Sequence, residues 1–230
     1  MRNIVLILVV AAGLLGIPCV EAQQASVKQG INDTFKNPEP KQFLNRFEKE
    51  GREVFDKREQ ILAALPIQPG WVVADVGAGT GLFTRLIAPK VGAAGKVYAV
   101  DIADSFVKHA VQSCQEAGYK WVEGIVCGPD DARLPENAVD LVFICDTYHH
   151  FEFPFKTMAS IFRSLKKGGQ VVVVDFKREE GVSSDWILKH VRAGKEVVIR
   201  EIEQCGFVLE EQPDLLKENY VLRFRKSDAK

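Results

Sequence analysis

Residues 71–84 limit this chain more than any other stretch: Trp-Val-Val-Ala-Asp-Val-Gly-Ala-Gly-Thr-Gly-Leu-Phe-Thr. An apolar run reaches Asp75, glycines follow at 77, 79 and 81, and apolar residues resume at helical spacing through Leu82, Phe83, Leu86 and Ile87. The pattern predicts a buried strand, a tight turn and the start of a helix. Glycine serves where backbone takes positive φ or comes within contact distance of a ligand. Three on alternate residues leave a bare ledge at the carboxyl end of a strand, where open α/β sheets bind cofactors. A glycine-rich turn with no ligand is the plainer alternative.

Spacing narrows the chemistry. In the dinucleotide fingerprint the third glycine comes three residues after the second, a position held here by Leu82. No Gly-Lys-Ser/Thr closes the loop, which excludes phosphate-loop chemistry.

Strands and helices alternate beyond the loop. Strands are expected over 96–101, 121–126, 139–145 and 170–176, with helices over 105–117 and 155–165 and a Lys167-Gly168-Gly169 turn. That alternation predicts a parallel sheet with right-handed crossovers. The tail reads as one helix over 187–205, then two short strands, 207–210 and 220–224, able to pair antiparallel. Ahead of the first strand, residues 41–65 are helical and stop at Pro66 and Pro69-Gly70, where they can cover the crevice as a lid. Residues 41–230 form one domain.

The amino terminus differs. Arg2 precedes an uncharged apolar run over 4–17, then Pro18, Cys19 and Val20-Glu21-Ala22. This predicts a signal peptide over 1–22 and an exported protein, in periplasm or outside the cell. The run is short for a membrane span and is broken by Gly13, Gly16 and Pro18, so no stable insertion is expected after cleavage. An uncleaved amino-terminal anchor is the alternative. Residues 23–40 are polar, with prolines at 38 and 40, and read as a loose leader. The net charge of −1 lacks the basic excess of a nucleic-acid binder. Cys114, Cys127, Cys145 and Cys205 fit no zinc spacing, and their disulfide state is left open.

Two further acid sites suggest nucleoside binding. Asp101 falls 20 residues beyond Gly81 at a strand end, where a carboxylate can accept from both ribose hydroxyls. Asp130, after the third strand, can accept from an adenine amino group, with the backbone of Asp131 donating to the ring; a plain pair of loop acids is the alternative.

Together Asp75, the three glycines, Asp101, Asp130, the strand ending at Asp146 and the Leu165-Lys-Lys-Gly-Gly169 turn resemble the motifs of the class I S-adenosylmethionine-dependent methyltransferases. The resemblance runs over about 43–224. It implies a Rossmann-like, doubly wound α/β fold: a seven-stranded, mostly parallel sheet with one antiparallel strand and helices on both faces. It also implies S-adenosyl-L-methionine held by Asp75, Gly77, Ala78, Gly79, Gly81, Asp101, Ile102, Asp130, Asp131 and Asp146. The reaction would be an SN2 methyl transfer, here to a small-molecule acceptor. By the same resemblance, the segment after the fourth strand faces the methyl group, and it offers Asp146, Tyr148, His149 and His150. Histidine can take a proton from the acceptor. Adjacent histidines point in different directions, so one is expected in the pocket, His149 ahead of His150. His190, in the tail helix, reads as a surface residue, with reach into the same pocket as the alternative. A metal set of Asp146, His149 and His150 lacks a fourth ligand, and no metal is expected. Arg46, Glu48, Arg52 and Glu53 are either part of the lid or a solvated charged face. A catalytically inactive S-adenosylmethionine or nucleoside binder is the alternative function, with an aminopropyltransferase-like enzyme third.

Overall fold

The apolar runs form strands β1 (Val72–Val76), β2 (Lys96–Asp101), β3 (Val122–Val126), β4 (Val139–Cys145), β5 (Leu165–Phe176), β6 (Phe207–Glu211) and β7 (Asn219–Lys226). This is a computed structural model that describes residues 23–228, so the expected signal segment lies outside the described residues. The strands make one sheet in the order β3-β2-β1-β4-β5-β7-β6. All pairs from β3 through β5 are parallel, and β7 runs antiparallel to both β5 and β6. The helices are α1 (Pro40–Phe47), α2 (Glu53–Asp56), α3 (Arg58–Ala64), α4 (Leu82–Val91), α5 (Asp104–Glu116), α6 (Pro154–Ser164), α7 (Asp185–His190) and α8 (Lys195–Gln204). The expected seven-stranded, doubly wound sheet with one antiparallel strand is the observed fold.

Side chains alternate across a strand, so one apolar run feeds two layers. Val142, Ile144, Val171 and Val173 pack with Met158 and Ile161 of α6 and Val198 and Ile202 of α8. Leu141, Phe143, Val172 and Val174 pack on the other face with Phe83 and Ile87 of α4 and Ile61 and Leu62 of α3. Burying side chains of this size contributes about 1.5–3 kcal/mol each. That continuous double-sided core fixes where the strand ends, and hence the site, must lie.

Three elements differ from expectation. The Lys167-Gly168-Gly169 segment is part of β5, which starts at Leu165 and pairs with β4 through a register shift between Val139 and Leu141. The tail helix is two helices. Arg178 donates to the carbonyls of Leu188 and Val191 at 3.2 and 3.0 Å, and Gly194 caps the start of α8. Residues 23–40, expected as a loose leader, are docked. Gln23 is buried, its Nε2 donating to Glu152 O at 3.0 Å and its Oε1 accepting from Phe155 N at 3.1 Å. Val27 N donates to Glu152 O, and Asn32 Nδ2 donates to His150 O at 3.0 Å. The polar side chains that read as solvated satisfy the backbone of the loop after β4. No helix among the described residues is long and apolar enough to cross a membrane. Among the described residues, no disulfide joins Cys114, Cys127 and Cys145 to one another.

Candidate active site

A cleft of about 480 Å³ opens at the carboxyl ends of β1, β2, β4 and β5, between the sheet and a cover made of the leader, α1 and α7. Its first half is the glycine turn. Gly77 N and Ala78 N both donate to Val100 O, at 2.8 and 3.0 Å, which pins the turn to β2. Gly77 has φ +79°, and a Cβ there would stand 2.2 Å from the Thr147 side chain. Gly81 has φ +81°, and a Cβ would meet Ala110 of α5 at 2.8 Å. These two glycines therefore serve close packing between chain segments, and Gly81 does not line the cleft. Gly77, Ala78 and Gly79 do line it.

Asp101 is buried at the lip of β2, its Oδ2 accepting from Gly79 N at 2.9 Å and its Oδ1 from Ala103 N at 3.0 Å. Each carboxylate oxygen keeps a further lone pair for a ligand. Burial pushes the Asp101 carboxyl up, opposed by the backbone N–H donors of Ala103, Gly79 and Ile102. Asp75 lines the floor and accepts from Thr84 Oγ1 at 2.6 Å. Burial pushes its carboxyl up to about 6, with the Thr84 bond opposing. Ile102, 37% exposed, faces the cleft across from Cys127, Gly128 and Ala132. A diol acceptor beside an apolar slot and a bare glycine ledge fits the nucleoside end of S-adenosylmethionine.

Asp130 and Asp131 are not brought into the cleft. Asp131 Oδ1 accepts from Arg133 N at 2.6 Å and its Oδ2 lies 3.4 Å from Arg163, while Asp130 lies 3.5 Å from Lys156. The backbone turn at 127–132 presents Cys127, Gly128, Pro129 and Ala132 to the cleft and sends both acids outward.

The second half is built on the 3₁₀ turn Tyr148–His150 that follows β4. His149 is buried, with Nδ1 2.7 Å from Asp175 Oδ1, and its backbone N donates to Asp175 Oδ2 at 3.0 Å. Asp175, in β5, was missed by sequence reasoning. The signal was available: like Asp75 and Asp101, it is an acid at the end of an apolar strand.

The expectation of a single histidine in the pocket is corrected, since His149 and His150 both line the cleft. In this tight turn the side chain sent away from the cleft is that of Tyr148. It is fully buried, and its hydroxyl donates to Glu201 at 3.0 Å, itself paired with Arg192 at 2.7 Å. Tyr148 is thus removed from the candidate catalytic set. His190 is half-buried and takes the alternative placement: it lines the cleft, its Nε2 3.3 Å from His150 Nε2 and its ring stacked on Trp186. Burial, then the neighbouring histidines, lower the His150 pKa to about 2. Burial, then His149, lower that of His190 to about 4. Both rings are neutral near pH 7.

Asp146 lines the cleft with φ +46°, but its oxygens are engaged: Oδ2 by Arg52 at 2.6 Å and Oδ1 by Asn219 Nδ2 at 2.6 Å. It is held away from the histidines, so a metal set through Asp146 does not assemble. Its contacts tie the segment after α1 to β4 and β7. The leading charges make specific contacts instead of a solvated face. Glu48 pairs with Arg85 at 2.6 Å and accepts from Thr80 Oγ1 at 2.7 Å. Glu53 accepts from the backbone N–H groups of Lys217, Glu218 and Asn219. Arg46 lines the cleft.

Residues 74–173 match the methyltransferase domain family. The chain has the Rossmann-like fold of solved methyltransferases. The chain is 33% identical over 113 residues to the ubiquinone/menaquinone biosynthesis C-methyltransferase UbiE of Hydrogenovibrio crunogenus, a match covering 49% of this chain and 44% of that protein. It thus spans about half the length of the curated relatives it matches. A solved S-adenosylmethionine-dependent methyltransferase from Aquifex aeolicus superposes with a TM-score of 0.72 at 26% identity, covering 83% of this chain and 100% of that one. A phosphoethanolamine N-methyltransferase from Haemonchus contortus, solved with S-adenosylhomocysteine, superposes with a TM-score of 0.57 at 23% identity, over 77% of this chain and 47% of that one.

Proposed function

We propose that this protein transfers the methyl group of S-adenosylmethionine to a small-molecule acceptor bound against His149 and His150. The observation that carries the reading is one cleft in which the buried carboxylate of Asp101 and a carboxylate-held histidine, His149, face one space. Its volume of about 480 Å³ lies within the range of small-ligand pockets, about 300–1,000 Å³. Aromatic rings of Phe35, Phe47 and Trp186 from the cover, with Phe106 of α5, line the cleft and favour an acceptor with apolar surface.

S-adenosylmethionine supplies a methyl on a positively charged sulfur, a good leaving group. What the chain contributes is alignment and proton removal. Asp101 and the glycine ledge hold the nucleoside, and Arg52 on Asp146 keeps the cover shut over it. Asp175 accepts the Nδ1 proton of His149, which leaves Nε2 unprotonated and able to accept the acceptor's proton as its nucleophile attacks. We further propose that residues 1–22 direct export, which amino-terminal sequencing of the mature protein would check.

The test is incubation with S-adenosylmethionine labelled in the methyl group and fractionated small-molecule extracts. Label transferred to a small molecule, and lost in His149→Ala, supports the reading. Tight binding of S-adenosylhomocysteine without transfer to any fraction would favour the inactive binder.

A further inference from the structure

One ring nitrogen from each of His149, His150 and His190 lies within 4.8 Å of the other two. They come from two separate elements, the 3₁₀ turn after β4 and the last residue of α7. His150 Nε2 and His190 Nε2 are 3.3 Å apart. Two imidazole nitrogens bonded to one tetrahedral ion at about 2.0–2.1 Å stand about 3.3–3.4 Å from each other. That edge of a coordination tetrahedron is therefore already formed. The third nitrogen, within 4.8 Å, must draw in by up to about 1.4 Å, a movement χ rotations supply.

One more observation favours a ligand here. Asp175 holds His149 by Nδ1, the carboxylate–histidine pairing that orients a metal-binding ring and leaves Nε2 for the ion. The His150 ring is packed against Phe35, His149 and His190, which fixes its Nε2 toward His190.

We propose that His149, His150 and His190 form a three-nitrogen centre for a divalent transition-metal ion of the zinc and cobalt class, its fourth position open to the cleft. Imidazole donors suit such ions, whereas magnesium and calcium require oxygen ligands. Lys28, bonded to the His190 carbonyl, and Arg46 bring positive charge that opposes any cation here, so the ion must be held by its nitrogen–metal bonds. An acceptor hydroxyl or thiol bound at the open position would release its proton to solvent more readily and present its anion to the methyl group. That use rests on the proposed methyl transfer; occupancy of the site does not. With the ion bound, His149 Nε2 is a ligand and no longer the base.

The test is titration of the untagged, chelator-treated full-length chain with Co²⁺, followed by displacement with Zn²⁺. The expected result is one Co²⁺ per chain, with the visible absorption of a four-coordinate nitrogen/oxygen site and no thiolate charge-transfer band. His190→Ala and the bulkier His190→Gln both abolish that spectrum while far-ultraviolet circular dichroism stays native. Asp175→Asn weakens binding about 10-fold or more. No stoichiometric uptake, uptake unchanged in the His190 variants, or a thiolate band pointing to Cys145 would overturn the proposal. A parallel S-adenosylhomocysteine titration separates the two readings. Cobalt uptake without nucleoside binding keeps the metal centre and removes the methyl transfer. The reverse result removes only the metal centre.

Discussion

The glycine ledge and the histidine end of the cleft are one cavity assembled by two different methods. The ledge takes its parts from two neighbouring strand ends, and its hydrogen bonds all start from backbone N–H groups: Gly77 and Ala78 to Val100 O, Gly79 and Ala103 to the Asp101 carboxylate. The histidine end gathers Phe35, Arg52, Asp146, His149, Asp175 and His190 from separate elements and joins them through side chains. Geometry set by backbone tolerates side-chain change away from the ligand. Geometry set by side chains can be retuned by single substitutions. The first half is thus suited to a constant cofactor and the second to an acceptor that differs between relatives of the same fold.

Substitutions that respect this division should separate binding from turnover. His149→Ala should lower methyl transfer by about 10²–10⁴-fold, the usual contribution of a positioned general base, and leave S-adenosylhomocysteine affinity near wild type; steady-state kinetics beside calorimetry reads both. Equal loss of both would erase the distinction between the halves. Gly77→Ala combines left-handed backbone with a Cβ 2.2 Å from Thr147, and should cost about 3 kcal/mol or more in denaturant unfolding.

Asp75 gives a test in pH. Its folded pKa, raised to about 6 by burial, lies above the ordinary value of 3.8. Between those values the folded state binds more protons than the unfolded state, so this group's stabilisation is complete below about pH 3.8 and lost as pH rises through about 6. Asp75→Asn keeps a partner for Thr84 and removes that loss. Its stability relative to wild type should rise from pH 4 to pH 7 by about 3 kcal/mol at most. A pH-independent difference would contradict the assignment. Arg52→Met leaves the buried Asp146 with Asn219 as its remaining side-chain partner, and should cost about 2 kcal/mol. Limited proteolysis of the α1–α2 segment would show whether the loss is felt at the cover.

How far the chain could be read from its residues follows the same division. The sheet was legible because each strand is an apolar run bounded by turn residues. The expected 96–101 and 139–145 match β2 and β4 as observed. The ledge was legible because Asp75, the glycines and Asp101 are local in sequence. Asp130 and Asp131 misled because spacing places a loop beside the cleft without saying which way its side chains turn. The docked leader was hidden because Gln23 and Asn32 look solvated until their backbone partners in the loop after β4 are known. The pocket placement of His190 could not be chosen over a surface one without the break at residues 191–194, which depends on Arg178 taking helix carbonyls. No periodicity records such a tertiary bond.

The most direct measurement is calorimetric titration of the folded protein with S-adenosylhomocysteine, comparing wild type, Asp101→Ala and His149→Ala. Binding by wild type and His149→Ala, with loss in Asp101→Ala, is the predicted result and would place the nucleoside on the glycine ledge. No heat from folded wild type, or equal binding by all three, would contradict it.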